Sequence, residues 1–240
     1  MVAQTLRFLS ETNERMDLHE EGIKLVEEAS QICKRLGDVM GEAQCLASLG
    51  SLLESTKQLD AAEEAASRAI NLFSKNGIQF EVCQGHDLLG HIYQSKGETE
   101  KAIYHFEEAL AIADAFNWND LLFVVHFSLM ELFLDERMLV DAQVHVEHAK
   151  SYAVNNTYRL GLTTEKQAKL WYIQGRLEES EAEVLRAIDM FEKVGAAREL
   201  KRCEGHLWRI EEEMNKRVNK RVSKRVIPGQ WDDGELSPKS

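Results

Sequence analysis

The residues best suited to chemistry in this sequence are its histidines, and two of them, His145 and His148, stand three positions apart. On a helix this spacing places both imidazoles on one face, where they could ligate zinc. His105 is a candidate third ligand if helices forty residues apart stack. However, bare pairs of this kind are common on solvated helix faces, and zinc needs a defined tetrahedral set. We therefore predict no metal site.

Other chemical signatures are sparse. The sequence lacks a glycine-rich phosphate loop, a nucleophile elbow, an HExxH motif and a calcium-binding loop, so we predict neither enzymatic activity nor a cofactor. Cys33, Cys45, Cys83 and Cys203 are scattered, as is typical of reduced thiols in an intracellular protein. No apolar run is long enough to span a membrane. These features predict a cytoplasmic protein.

A basic segment ends the patterned part of the chain. Residues 215–226, NKRVNKRVSKRV, repeat a four-residue motif three times, although the chain has a formal net charge of −12. Three interpretations are open: the exposed end of a helix whose cations complement the helix dipole, a nuclear address, or a nucleic-acid contact. The first is favoured, because the segment contains no aromatic residue for base stacking and the acidic body would repel phosphate. The candidate contact residues are Lys216, Arg217, Lys220, Arg221, Lys224 and Arg225.

The elements that carry these residues follow from a repeat. Both prolines lie after residue 227, so helix-breaking residues are absent before that point. Self-comparison at an offset of forty aligns Leu49-Gly50 with Leu89-Gly90, Leu53 with Tyr93, Ala62 with Ala102, and Ala69 with Ala109. His86 and His126 also match, which suggests a packing role for them. Each copy contains two apolar stripes of helical period, so the sequence predicts an all-α protein.

Five copies can be placed in the chain, the last of them shifted by two residues. The predicted domain from residue 1 to residue 195 comprises repeats at approximately 3–42, 43–82, 83–122, 123–160 and 161–195. A capping helix with a basic extension is predicted at 196–226, and a disordered tail at 227–240.

The repeat resembles the tetratricopeptide repeat family. Repeat three matches the family pattern best, through His86, Leu89, Gly90, Tyr93, Ala102, Phe106 and Ala109. The forty-residue period is similar to that of the long-helix members in kinesin light chains, G-protein-signalling modulators and fungal signalling NTPases. The early tryptophan and terminal proline of the family are missing, and repeats one and five are degenerate. The resemblance implies a right-handed superhelical solenoid of antiparallel helix pairs that binds proteins.

The resemblance also implies a peptide-binding groove. In the family, positions two, five, six and nine of each repeat face inward. Here they are Gln4, Arg7, Phe8 and Glu11, then Gln44, Ala47, Ser48 and Ser51, then Gln84, Asp87, Leu88 and His91, and finally Val124, Phe127, Ser128 and Glu131. For Phe8 and Phe127, packing between repeats is an equal alternative.

The composition of this groove narrows the class of partner. A clamp for acidic chaperone tails would need lysine, asparagine and arginine. The corresponding positions hold Ala47, Ser51, Leu88, Val124 and Ser128 in one register, and Arg7, Glu11, Ser48, Gln84 and Leu88 in the register one repeat earlier. We therefore predict a protein or peptide partner that is not a chaperone C-terminal tail, and no membrane or nucleic-acid partner. The acidic body favours a basic or amphipathic partner, although excess acid can equally serve solubility.

The favoured function is a non-catalytic scaffold that binds a peptide or helix of a partner protein in the groove. One alternative is a ligand-sensing or assembly region cut from a larger signalling protein of the NTPase type. Another is a metal- or nucleic-acid-dependent activity that uses the His145/His148 pair or the basic C-terminal repeat.

Overall fold

The computed structural model describes the backbone of residues 19–225 and the side chains of residues 19–219. Within this part of the chain every regular element is helical, which confirms the predicted all-α class. The ten helices are α1 His19–Leu36, α2 Val39–Ser55, α3 Leu59–Lys75, α4 Gln79–Lys96, α5 Thr99–Ala115, α6 Asn119–Asp135, α7 Leu139–Ala153, α8 Thr157–Ile173, α9 Leu177–Val194 and α10 Ala197–Arg225. None of these described helices is long and apolar enough to cross a membrane.

The chain divides after Asn156 into two compact units. The first unit contains α1 to α7 and the second contains α8 to α10. The predicted repeat boundaries at residues 43, 83, 123 and 161 each fall four residues inside a helix, because the recognisable pattern starts after the helix does. The boundaries themselves stay a prediction. The predicted start of repeat one, residues 3–18, and the predicted tail lie outside the described residues.

A left-handed backbone residue follows most helices at a fixed interval. In the first unit these residues are Gly37, Lys57, Gly77, Gly97, Asn117 and Arg137, and in the second they are Gly175 and Gly195. At each of these turns, the residue after the left-handed one donates its backbone N–H to the carbonyl of the residue five positions before it. An example is the hydrogen bond from Glu98 N to Tyr93 O at 2.9 Å. This Schellman closure satisfies carbonyls at the helix end. The forty-residue repeat therefore consists of two twenty-residue halves with the same ending.

Contacts within the first unit fix the direction of its helices. Oε1 of Glu42, at the start of α2, lies 3.5 Å from Nη2 of Arg68, in the second half of α3. Gly50, in the second half of α2, packs instead on the backbone of Ala62 near the start of α3. Successive helices are therefore antiparallel. Because each helix then returns to the same level two elements later, α2 and α4 lie side by side, with Ser95 Oγ donating to Glu54 Oε1 at 2.8 Å.

Small residues on both helices of a pair allow this close approach. A side chain at Gly90 would place its Cβ 2.5 Å from the ring of Phe106, so only glycine fits there. Ala62, Ala102 and Ala142 are fully buried at equivalent points of α3, α5 and α7. Tight contact between helices removes apolar surface from water, which is the main stabilising contribution.

The second unit has its own core and a buried carboxylate that pairs with an arginine. Its core includes Ala168 on α8, Leu177 and Phe191 on α9, and Ile210 on α10. Glu165 on α8 is almost fully buried and accepts a hydrogen bond from Arg202 Nε on α10 at 2.6 Å. The guanidinium stabilises the carboxylate in this buried position and ties α10 to α8.

Candidate functional site

A cavity of about 490 Å³ opens in the first unit between α2, α3 and α4. All eight inward positions predicted on repeats two and three line it. The lining residues are Gln44, Ala47, Ser48 and Ser51 on α2, Phe73 on α3, and Glu81, Gln84, Gly85, Asp87, Leu88 and His91 on α4. The structure thus brings together two groups of residues that lie forty positions apart in the sequence.

The lining is mixed in chemistry. Side-chain amides and hydroxyls supply hydrogen-bonding groups, while Leu88 and Phe73 supply apolar surface. Two carboxylates, of Glu81 and Asp87, are present, and among the described lining residues there is no lysine or arginine. A cavity that combines hydrogen-bonding groups with some apolar surface can bind a ligand through both kinds of contact.

Asp87 is the most distinctive residue of the cavity. Its side chain is 19% exposed, and its Oδ2 atom lies 3.9 Å from Nε2 of His91. Ser128 on α6 donates a hydrogen bond to Asp87 Oδ1 at 3.1 Å. Burial raises the pKa of Asp87, and the neighbouring His91 and Ser128 only partly oppose that effect. The carboxylate is therefore held in a place where its charge is poorly compensated.

Asp87, His91 and Ser128 include the residue types of a nucleophilic triad but not its geometry. Ser128 Oγ lies 3.1 Å from His91 Nε2, and Asp87 Oδ2 faces the same nitrogen. A catalytic triad instead places the carboxylate on the opposite ring nitrogen, where it orients the base. Ser128 Oγ also lies 3.1 Å from the carbonyl of Val124 within its own helix. The arrangement is that of a polar contact between α4 and α6.

The four predicted groove positions on α6 are placed differently from those on α2 and α4. Ser128 is buried and contacts Asp87 and His91, whereas Val124 is 37% exposed. Phe127 stacks on the buried Phe123 with ring centroids 5.8 Å apart, which agrees with the packing alternative for this residue. Val124, Phe127 and Glu131 are not among the residues that line the cavity. Gln4, Arg7, Phe8 and Glu11 lie outside the described residues.

Two histidine pairs repeat in consecutive helix pairs. His86 Nδ1 on α4 lies 3.1 Å from His105 Nδ1 on α5, and His126 Nδ1 on α6 lies 2.9 Å from His145 Nδ1 on α7. The predicted packing role of His86 and His126 matches these contacts. The pairing itself was missed from the sequence, although His105 and His145 are also forty residues apart and so carried the signal.

Burial governs the protonation of these histidines. It lowers the pKa of His86, His105 and His145, and together with the charges of His145 and His148 it lowers the pKa of His126 to about 4. A neutral pair can share one hydrogen between its facing nitrogens, because one ring donates and the other accepts. The short contacts therefore describe neutral imidazoles.

The candidate zinc ligands do not converge. His148 stacks on His126 with centroids 4.7 Å apart, but His105 faces His86 instead of His145 and His148. In the part of the chain that the structure describes, no group of three or more histidine, cysteine or acidic residues could hold a metal ion.

The basic C-terminal segment continues α10, whose backbone is helical to Arg225. Lys216 Nζ lies 2.7 Å from Glu212 Oε1, and Arg217 Nη1 donates to Gly175 O at 3.1 Å. Both cations are thus engaged within the second unit. The side chains of Lys220, Arg221, Lys224 and Arg225 lie outside the described residues.

Comparison with known proteins is consistent with this helical repeat architecture. One family model for the tetratricopeptide repeat matches residues 1–75 and another matches residues 84–116. The described helices form an all-α repeat solenoid of this type. At these two stretches the chain is similar to the tetratricopeptide repeat family. None of the curated proteins compared with the sequence matches it.

Several solved structures share the fold at low sequence identity. A signal transduction ATPase with a tetratricopeptide repeat sensor from Pyrococcus horikoshii aligns with a TM-score of 0.67 at 16% identity, over 93% of this chain and 38% of that one. BtubC from P. vanneervenii aligns with a TM-score of 0.64 at 15% sequence identity, over 92% of this chain and 98% of that one. A Rap protein complexed with competence and sporulation factor aligns with a TM-score of 0.64 at 15% sequence identity, over 89% of this chain and 64% of that one. The chain thus spans less than two thirds of that Rap protein.

Proposed function

We propose that this protein is a non-catalytic scaffold that binds a peptide or helix of a partner protein in the cavity between α2 and α4. The observation that carries the proposal is the convergence of eight inward side chains from two repeats on one cavity of about 490 Å³. Amides and hydroxyls there can bond a peptide backbone, while Leu88 and Ala47 can contact its side chains.

The comparisons support this proposal at the level of architecture. A structurally similar Rap protein is known in complex with a factor, and tetratricopeptide repeats generally act as protein-binding scaffolds. The acidic composition of the chain favours a basic or amphipathic partner, because complementary charge accelerates encounter.

The proposal is tested by selecting a random peptide library displayed on phage against the full chain. Selected peptides are then measured against Ala47→Trp, which fills the cavity, and against Val140→Trp, which adds the same bulk at a position 79% exposed on α7. We expect Ala47→Trp to weaken binding at least about tenfold and Val140→Trp to leave it unchanged. Equal binding to both variants would place the binding surface elsewhere.

A second candidate is a ligand-sensing region of a larger signalling protein. It is favoured by the alignment with 38% of an ATPase whose repeats are described as a sensor. The same cavity would then bind the ligand, and fusion of the chain to its natural neighbours in the gene would be needed to observe signalling.

A further inference from the structure

The carboxylate of Asp87 has acceptor capacity that faces the cavity. An ionised carboxylate offers about four acceptor positions. The described neighbours supply one hydrogen bond from Ser128 at 3.1 Å and the more distant His91 Nε2 at 3.9 Å. Because Asp87 also lines the cavity, a ligand donor can reach the positions that remain.

The position of Asp87 favours a cationic donor. Taking a carboxylate out of water costs free energy unless a charged partner compensates for it. Burial raises the pKa of Asp87, which is the expected sign of such missing compensation. Glu81 adds a second negative charge to the lining, and no lysine or arginine among the described lining residues opposes them.

The remaining lining fits a guanidinium better than an ammonium. Arginine carries five N–H donors in a planar fork and no acceptor, so it needs several acceptors in one place. The carboxylate can accept two of these bonds side by side, and the oxygens of Gln44, Gln84 and Ser48 can accept others. Leu88 and Ala47 offer apolar contact to the aliphatic part of the side chain.

Resting on the proposed function, we infer that the cavity recognises an arginine side chain of the bound peptide and that Asp87 is its counterion. The occupant is therefore a peptide segment with an arginine that enters between α2 and α4. Lysine binds more weakly at this position because it cannot bond both carboxylate oxygens through a planar fork.

The test uses peptides selected on the full chain whose binding Ala47→Trp abolishes. In each peptide, arginine is replaced by citrulline, which keeps the shape but replaces the cation with a neutral urea, or by lysine. Dissociation constants are measured by fluorescence anisotropy for the unaltered chain, for Asp87→Asn, and for the control Asp114→Asn, an exposed acid on α5. Asparagine at position 87 can still accept from Ser128, and melting curves verify that each variant folds.

For the unaltered chain we expect citrulline to weaken binding about 10- to 100-fold and lysine to weaken it less. In Asp87→Asn the difference between arginine and citrulline should shrink to within about threefold, while Asp114→Asn should behave like the unaltered chain. An arginine-to-citrulline ratio that Asp87→Asn leaves unchanged would overturn the inference. Cavity-dependent peptides that lack arginine would overturn it too, but would leave the proposed function intact. Failure to select any cavity-dependent peptide would overturn both.

Discussion

At the scale of single residues, the histidine pairs make the first unit sensitive to acid. His126 is 9% exposed, and its ring faces that of His145. Protonation of His126 would therefore place a positive charge in a buried position beside a second imidazole that can also become protonated. Its pKa in the folded protein is about 4, whereas an exposed histidine titrates near pH 6.5. The unfolded chain therefore binds this proton first as the pH falls.

The predicted consequence is a loss of stability between pH 6.5 and pH 4, because a group whose pKa is lowered on folding stabilises the folded state only above that range. For His126 the loss amounts to about 3 kcal/mol at most. Urea unfolding at pH 7.5 and pH 4.5 measures it. We expect His126→Gln to reduce the difference between the two pH values and the exposed His148→Gln to retain more of it. An equal reduction in both variants would refute the assignment to His126.

At the scale of elements, helix endings set the register of the repeat. The left-handed residue occurs every twenty positions from Gly37 to Arg137, and at three of these turns it is not glycine. The turn after α7 is different, because Asn156 N donates to Ala153 O there. The next left-handed residue after Arg137 is Gly175, which comes two positions earlier than a forty-residue repeat would place it. This shorter turn explains the shift of two residues in the last sequence repeat.

Substitutions at two glycines separate backbone strain from loss of flexibility. Gly97→Ala should lower the free energy of unfolding by about 1 kcal/mol, because a φ of 75° is unfavourable for a side chain although open space surrounds it. Gly205→Ala, inside α10 and also in open space, should raise it by about 0.5 to 1 kcal/mol. Chemical denaturation measures both, and changes of the same sign would contradict this account.

At the scale of the whole molecule, opposite charges are segregated along the chain. The net charge is −12, yet the C-terminal segment carries six cations in twelve residues. The described cations of this segment, Lys216 and Arg217, bond to α10 itself and to the turn at Gly175. These contacts favour the interpretation of the segment as the end of a helix.

We therefore predict that replacing Lys216, Arg217, Lys220, Arg221, Lys224 and Arg225 together by glutamine leaves the affinity for cavity-binding peptides within about twofold. Anisotropy measurements with the peptides used above provide the readout, and circular dichroism checks helix content. A large loss of affinity would show that the basic segment takes part in recognition.

The sequence by itself determined the helical class, the forty-residue period and the two sets of positions, on α2 and α4, that line the cavity. Periodicity was sufficient for the first two, because a repeated apolar stripe fixes which side of each helix is buried. The two sets of inward positions were implied by the resemblance to the tetratricopeptide repeat family. The tertiary structure alone decided which polar side chains meet. Asp87 with Ser128, and His126 with His145, pair only through the packing of α4 on α6 and of α6 on α7. Periodicity specifies a face of a helix, whereas hydrogen bonding and burial depend on the distance between side chains that only packing sets.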